Sequence, residues 1–222
     1  MGYRKIARIS PGRAILFSIV SIISLGTLLL SLPFAQKVHI PISDLFFTAT
    51  SSICVTGLET VSVNQFTIAG QAIILFLIQI GGLGLMTLSL FVISLFTNLG
   101  LSAQLMAGRL LDLESWKNVR KILIFIICLT IITEIIGALV LFPVFYKKYA
   151  IGQAAFMAIF HSIAAFCNAG LTIFPNGIVE YATSYTVLST LGIMMICGGL
   201  GFVTWHELYT HVKMHGFKRR PM

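Results

Sequence analysis

SSICVTGL, Ser51 to Leu58, separates two long apolar runs, and its reading decides the fold. The stretch is small and polar, and it turns on a glycine. It is too short to span a bilayer, and its flanks are too apolar for an ordinary water-facing loop. A relative of it, AAFCNAGL, occupies Ala164 to Leu171, again between two apolar runs. One explanation has to serve both.

The surroundings are those of a membrane protein. Of 222 residues, 57% are hydrophobic and 10% charged, and the mean hydropathy is +0.97. A soluble domain of this size has too little interior to hide that much apolar surface. Four runs are candidates to cross a hydrocarbon core of about 30 Å, which needs about 20 helical residues. They are Ala14 to Leu32, stopped by Pro33; Ile68 to Phe96; Ile122 to Phe142, stopped by Pro143; and Tyr185 to Val203. Arg4, Lys5, Arg8 and Arg13 precede the first run, as in a signal peptide. That run is longer than a usual signal core, and LPFAQ is a poor cleavage site, so an uncleaved helix is expected.

The net charge of +8 does not point to nucleic acid, because the basic residues fall into three clusters. Arg4, Lys5, Arg8 and Arg13 form one; Arg109, Lys117, Arg120 and Lys121 the second; Lys213, Lys218, Arg219 and Arg220 the third. Positive-inside bias places both termini and the middle linker in the cytoplasm, where the clusters face anionic lipid head groups. The expected location is the cell membrane, with several passes. The segments Pro33–Thr67 and Pro143–Ser184 then begin and end outside. Each holds a mostly apolar piece, Leu45–Ile53 and Ala154–Phe166, so each is expected to dip into the membrane as a short helix and leave as extended chain. Irregular backbone at that depth is tolerated where protein or a water-filled cavity surrounds it.

The sequence repeats itself. Cys54, Gly57, Leu58 and Phe47 fall on Cys167, Gly170, Leu171 and Phe160 at an offset of 113, and GGLGLMT (Gly81 to Thr87) falls on GGLGFVT (Gly198 to Thr204) at 117. A short insertion between loop and helix accounts for the difference. The expected fold is an all-α membrane protein of two tandem helix–pore loop–helix repeats, four transmembrane helices plus two re-entrant helices. The divisions are 1–97 and 122–211 for the repeats, 98–121 for a cytoplasmic linker and 212–222 for a basic tail. The GGLG glycines are read as close-packing positions within spanning helices; no strand precedes them, so a dinucleotide loop is excluded. Cys54, Cys128, Cys167 and Cys197 contain no C-x-x-C pair and read as small buried residues rather than metal ligands or disulfide partners.

A short helix with its C-terminal end deep in the membrane carries about half a negative charge there, and carbonyls beyond that end can replace water around a cation. Such a loop needs a residue free to take positive φ, which Gly57 and Gly170 supply. Cys54–Gly57 and Cys167–Gly170 are therefore candidate walls of a cation filter; the plainer reading is two structural re-entrant loops.

FFTATSSICVTGLETVS (Phe46 to Ser62) resembles the first pore loop of the Trk/Ktr/HKT potassium transporters, and FHSIAAFCNAGLTIF (Phe160 to Phe174) their second. The resemblance covers nearly all the chain. It implies filter carbonyls from Val55, Thr56 and Gly57 in one loop and Asn168, Ala169 and Gly170 in the other. Glycine at position 57 is the form it associates with potassium, serine with sodium. It further implies four such repeats around one pore, of which two are present here, and a cytosolic nucleotide-binding regulatory subunit. Two loops enclose half a cage, so the remaining half or a second copy is required, the former favoured because the two loops match different repeats of the family.

The expected function is potassium uptake without a chemical reaction and without a cofactor, with no nucleic-acid partner. The alternatives are a sodium-permeable or unselective relative, or a non-conducting half that acts as scaffold or regulator. Glu59, just past the first loop, is either a cation-attracting acid at the pore mouth or a solvated acid or partner for Lys37. Glu134, an ionisable residue in the third run, is either a functional group within the membrane or a group hydrogen-bonded to a neighbouring helix, the latter preferred; Gln71 and Gln79 raise the same question with the same preference. His161 and Ser162 are adjacent in the second short helix and point about 100° apart, which argues against an intramembrane hydrolase and for helix packing. The linker at 98–121 is expected along the cytoplasmic membrane face.

Overall fold

The computed structural model describes residues 11–84, 116–200 and 204–205. Much of the three basic clusters, the linker and the tail lie outside these residues, as do the ends of the second and fourth apolar runs. Six α-helices occur among them: α1 (Pro11–Leu30), α2 (Ile42–Cys54), α3 (Ile68–Gly82), α4 (Trp116–Tyr146), α5 (Ile151–Phe166) and α6 (Tyr185–Gly199). One isolated bridge, Gln36 with Phe66, is the only β pairing among the described residues. The protein is all-α, and Ile124–Tyr146 of α4 is long and apolar enough to cross a membrane. Ile131, Ile132, Ile135, Ile136 and Leu139 are exposed along α4, as a helix facing lipid requires.

The helices α2 and α5 each pack between two others. α2 lies against α1 and α3, α5 against α4 and α6, and α3 also reaches α5. The two halves repeat several contacts position for position. A Cβ added at Gly26 of α1 would meet Ala49 and Leu77; one added at Gly137 of α4 would meet Ser162 and Met194. Ala49 and Ser162 differ by the loop offset of 113, Leu77 and Met194 by the helix offset of 117. α3 and α6 start at Ile68 and Tyr185, 117 apart. The four extra residues thus fall between Gly170 and Tyr185, where a 3-10 turn at Gly177–Tyr181 stands for the shorter one at Val63–Gln65.

Prolines set several boundaries, though not all those expected. Pro33 follows α1 and Pro41 precedes α2. Pro143 does not stop α4, which continues to Tyr146 with the proline inside. The ring costs one backbone hydrogen bond near the helix end. Beyond it, Phe145 is fully buried and packs edge-on to His161, Phe174 and Tyr181, which holds the last turn. The second apolar run is not one uninterrupted helix to Phe96. α3 ends at Gly82, and Gly84 takes a φ of +78°, a left-handed conformation that closes helices.

Gly81, Gly82, Gly84, Gly198 and Gly199 consequently sit at or just past helix ends, Gly201 lies outside the described residues, and Gly81 and Gly198 serve packing. A Cβ at Gly81 would run into the Ile53 carbonyl oxygen of α2, and one at Gly198 into the Phe166 carbonyl oxygen of α5. Ile53 and Phe166 are again 113 apart. α3 and α6 thus let the C-terminal backbones of α2 and α5 touch their own. The cysteines are free, and Cys167 alone among the four is buried; Cys54 and Cys128 are exposed and Cys197 half-buried. The expectation of four buried residues fails because Cys128 lies on an outward face of α4 and Cys54 at the open end of α2.

Candidate functional site

α2 ends as many helices do, with a residue in the left-handed region, but that residue is Val55, at φ 54° and ψ 42°. The Val55 N–H donates to the Ser51 carbonyl, and so does the Thr56 N–H, at 3.1 Å. The latter bond, six residues to one, is the Schellman closure. α5 ends the same way, with Asn168 at φ 56° and the Ala169 N–H donating to the Ala164 carbonyl at 2.8 Å. Two residues after each left-handed residue comes a glycine with positive φ, Gly57 at 72° and Gly170 at 68°. The glycines were expected to supply that conformation; Val55 and Asn168 were not. A β-branched residue there is strained, and its cost is of order 1–3 kcal/mol.

The loops meet. A Cβ built on Gly57 would lie 2.9 Å from the Ala169 carbonyl oxygen and 3.2 Å from the Gly170 Cα, and one built on Gly170 would lie 3.2 Å from the Gly57 Cα. From the first half, α3 also touches the second loop, because a Cβ on Gly82 would strike Cys167. Among the described residues, no hydrogen bond ends on the carbonyl oxygens of Cys54 to Gly57 or of Cys167 to Gly170. Cys54, Thr56, Asn168 and Gly170 are exposed, Val55 and Gly57 half-buried, and the Cys167 and Ala169 side chains buried. The site is therefore a pair of touching loops, each following a helix C-terminus, partly exposed, with backbone oxygens that accept no hydrogen bond among the described residues.

Side chains brace the loops differently. In the first, Ser51 Oγ donates to the Leu58 carbonyl at 2.7 Å, accepts from the Leu58 N–H at 3.1 Å and lies 2.8 Å from Thr56 Oγ1. The position equivalent to Ser51 in the second is Ala164, and there the Asn168 amide donates to the Met195 carbonyl of α6 at 3.3 Å. Ser51 had not been singled out from the sequence. The signal for it is weak: a serine four residues before a residue that must turn left-handed.

Glu59 is exposed beside this pair. Partial desolvation raises its pKa above the usual carboxylate value, against opposing backbone groups of Thr172 and Val63. Thr172 belongs to the second half, so Glu59 lies across the junction. It is not the partner of Lys37, whose ammonium donates instead to the Asn64 carbonyl at 2.8 Å. The exposed ion pair on this side joins Lys148 to Glu180 at 3.0 Å.

Glu134 bridges helices as expected. It accepts from the Gln79 amide of α3 at 2.9 Å, and its backbone carbonyl accepts from Ser162 Oγ of α5 at 2.7 Å. The pair lines a cavity of about 430 Å³ with Thr130 and otherwise apolar residues. Gln71 is structural too, donating to the Val63 and Phe66 carbonyls. His161 bonds the Met157 carbonyl at 2.8 Å and Thr172 Oγ1 at 3.0 Å and stacks on Phe174. Ser162 and His161 therefore serve separate partners and form no nucleophile pair. Glu134→Ala leaves the Gln79 amide buried without its acceptor, which costs about 1–3 kcal/mol; Glu134→Gln retains an acceptor and costs less. Thermal unfolding of the detergent-solubilised protein is expected to rank the wild type first, the glutamine variant next and the alanine variant last.

Two helices, α2 and α5, that end in irregular loops and pack against α1, α3, α4 and α6 make up an all-α membrane protein. The family model of the cation transport protein TrkH matches residues 14–220, and the chain belongs to that family. It is 36% identical over 212 residues to the Ktr system potassium uptake protein B of Vibrio alginolyticus, covering 95% of this chain and 47% of that one. It is 32% identical over 216 residues to the protein of the same name from Bacillus subtilis, covering 96% and 48%. It is 31% identical over 210 residues to the potassium/sodium uptake protein NtpJ of Enterococcus hirae, covering 92% and 46%. The chain spans about half the length of these curated relatives.

Proposed function

We propose that the chain supplies half of a potassium-conducting pathway of the Trk/Ktr type. Val55, Thr56 and Gly57 of one loop and Asn168, Ala169 and Gly170 of the other, with Cys54 and Cys167 at the helix ends, give carbonyl oxygens that replace the ion's water. One observation carries the reading: two helix C-termini converge on touching loops whose carbonyls accept no hydrogen bond among the described residues. Each C-terminus carries about half a negative charge, so bringing two together is unfavourable unless a positive charge joins them. Neutral carbonyls hold an alkali cation without trapping it. Glu59 adds a carboxylate at the mouth.

The exposed Cys54, Thr56, Asn168 and Gly170 are where the remaining carbonyls would join the loop pair. The relatives' greater length supports a further half as their source, with a second copy of this chain as the alternative. The divisions 1–97, 98–121, 122–211 and 212–222, with both termini cytoplasmic, complete the proposal, as does a partner subunit, which the word system in two relatives' names supports; that this subunit is cytosolic and nucleotide-binding is what the pore-loop resemblance implies. A second reading, permeation of sodium as well, is favoured by the Enterococcus relative's name. Rubidium and sodium uptake into liposomes, with and without the remaining half, tests both. Rubidium uptake that requires the complete assembly is the expected result. Absence of uptake from the complete assembly leaves the scaffold role and removes conduction.

A further inference from the structure

We infer that Ser51 is a positioning residue for the first loop: its hydroxyl holds the strained Val55 turn in the geometry on which ion discrimination depends. The inference rests on the pathway reading above, and its test has one arm that does not.

The strain and its restraint lie in one short stretch. Val55 is left-handed, a conformation that valine resists because both Cγ atoms crowd the backbone. Such a residue persists where its surroundings over-determine it. Two main-chain bonds to the Ser51 carbonyl close the turn from one side. From the other, Ser51 Oγ reaches past the turn to Thr56 Oγ1 and to both backbone groups of Leu58. Residues 55 to 57 are thus bracketed between the last turn of α2 and Leu58. Ser51 is buried, at 3% exposure, so water does not compete for these bonds.

The second loop supplies the comparison. It makes the same turn with Asn168, a residue that tolerates the left-handed region, and it has Ala164 where the first has Ser51. A tolerant residue needs no hydroxyl bracket; an intolerant one has it. The two loops reach one backbone shape by different means.

The test is a double-mutant cycle of Ser51→Ala and Val55→Asn, with Ser51→Thr as the conservative variant, in the chain assembled with its remaining half. Ser51→Ala is expected to lower the rubidium-to-sodium uptake ratio about fivefold, the worth of one net hydrogen bond, and Ser51→Thr to keep it within about twofold of the wild type. In the Val55→Asn background the effect of Ser51→Ala shrinks to less than about half. Thermal stability of the four proteins of the cycle forms the second arm: Ser51→Ala is expected to cost more with Val55 in place than in the Val55→Asn background. Equal costs in the two backgrounds overturn the bracket, as does an unchanged ratio in Ser51→Ala. If the wild type moves no ion, the pathway reading fails by itself, and the stability arm still decides whether Ser51 restrains Val55.

Discussion

Gly57→Ser is expected to lower potassium uptake relative to sodium by tenfold or more, measured as the ratio of rubidium to sodium flux through the complete assembly. Two effects act together. Position 57 has a φ of +72°, where a side chain costs about 1–2 kcal/mol. The added Cβ would also lie 2.9 Å from the Ala169 carbonyl oxygen, an atom of the facing loop and a proposed ion ligand. The loop relieves the contact by moving that oxygen, and a shift of a few tenths of an ångström changes which cation fits. About 1.4 kcal/mol of differential binding is a factor of ten. Gly170→Ser makes an informative partner. Its Cβ would meet Gly57 Cα at 3.2 Å and no carbonyl oxygen, so its flux ratio is expected to change less. An unaltered ratio in Gly57→Ser would remove this glycine from ion recognition.

The sequence made the fold legible where composition and repetition acted together. Four apolar runs, two polar interruptions and two offsets were enough to expect four longer helices with a short one in each half. What stayed hidden depended on single contacts. Pro143 looked like a stop because the backbone rule is local, whereas the turn beyond it is held by Phe145 packing against residues up to 36 positions away. Gly82 and Gly84 looked like interior residues because hydropathy does not register where an apolar helix ends. The equivalence of Gly26 and Gly137 was invisible at either offset, since they stand 111 apart and become equivalent only through the side chains they touch.

The candidate site was half legible for a similar reason. Glycine announces positive φ by its chemistry, so the backbone conformation of Gly57 and Gly170 was legible. Val55 and Asn168 take the same conformation without announcing it, because hydrogen bonds to Ser51 and Ala164 impose it from outside. Glu59 shows the converse. Its nearest opposite charge in sequence terms was Lys37, but the fold gives Lys37 the Asn64 carbonyl and places Glu59 toward Thr172. Charge pairing over about twenty residues is decided by tertiary path, which neither spacing nor sign reveals.

Gly198→Ala is expected to destabilise the protein more than alanine at any other glycine of α6. Within one helix the glycines differ sharply in what an added methyl group meets. At Gly198 it would collide with the Phe166 carbonyl oxygen, at Gly199 it would lie 3.8 Å from the Asn168 amide nitrogen, and at Gly192 nothing lies within 4 Å. The Phe166 oxygen belongs to the last turn of α5 and cannot rotate away, so relief requires parting α6 from α5. Overpacking of this kind costs about 1–3 kcal/mol when side chains can yield, and backbone yields less readily. The turn at Asn168 begins two residues later, so the displacement reaches the second loop and rubidium flux is expected to fall with stability. Gly192→Ala, by contrast, removes backbone freedom at an open position and is expected to be neutral or stabilising by roughly 0.5–1 kcal/mol. Gly81→Ala repeats the experiment in the first half, where the obstructing oxygen is that of Ile53, and a matching loss is expected. Thermal unfolding in detergent and yield from membranes measure these variants on one scale. If Gly198→Ala and Gly192→Ala unfold together, the glycine contacts do not hold the short helices in place, and the repeated GGLG has some other reason to be there.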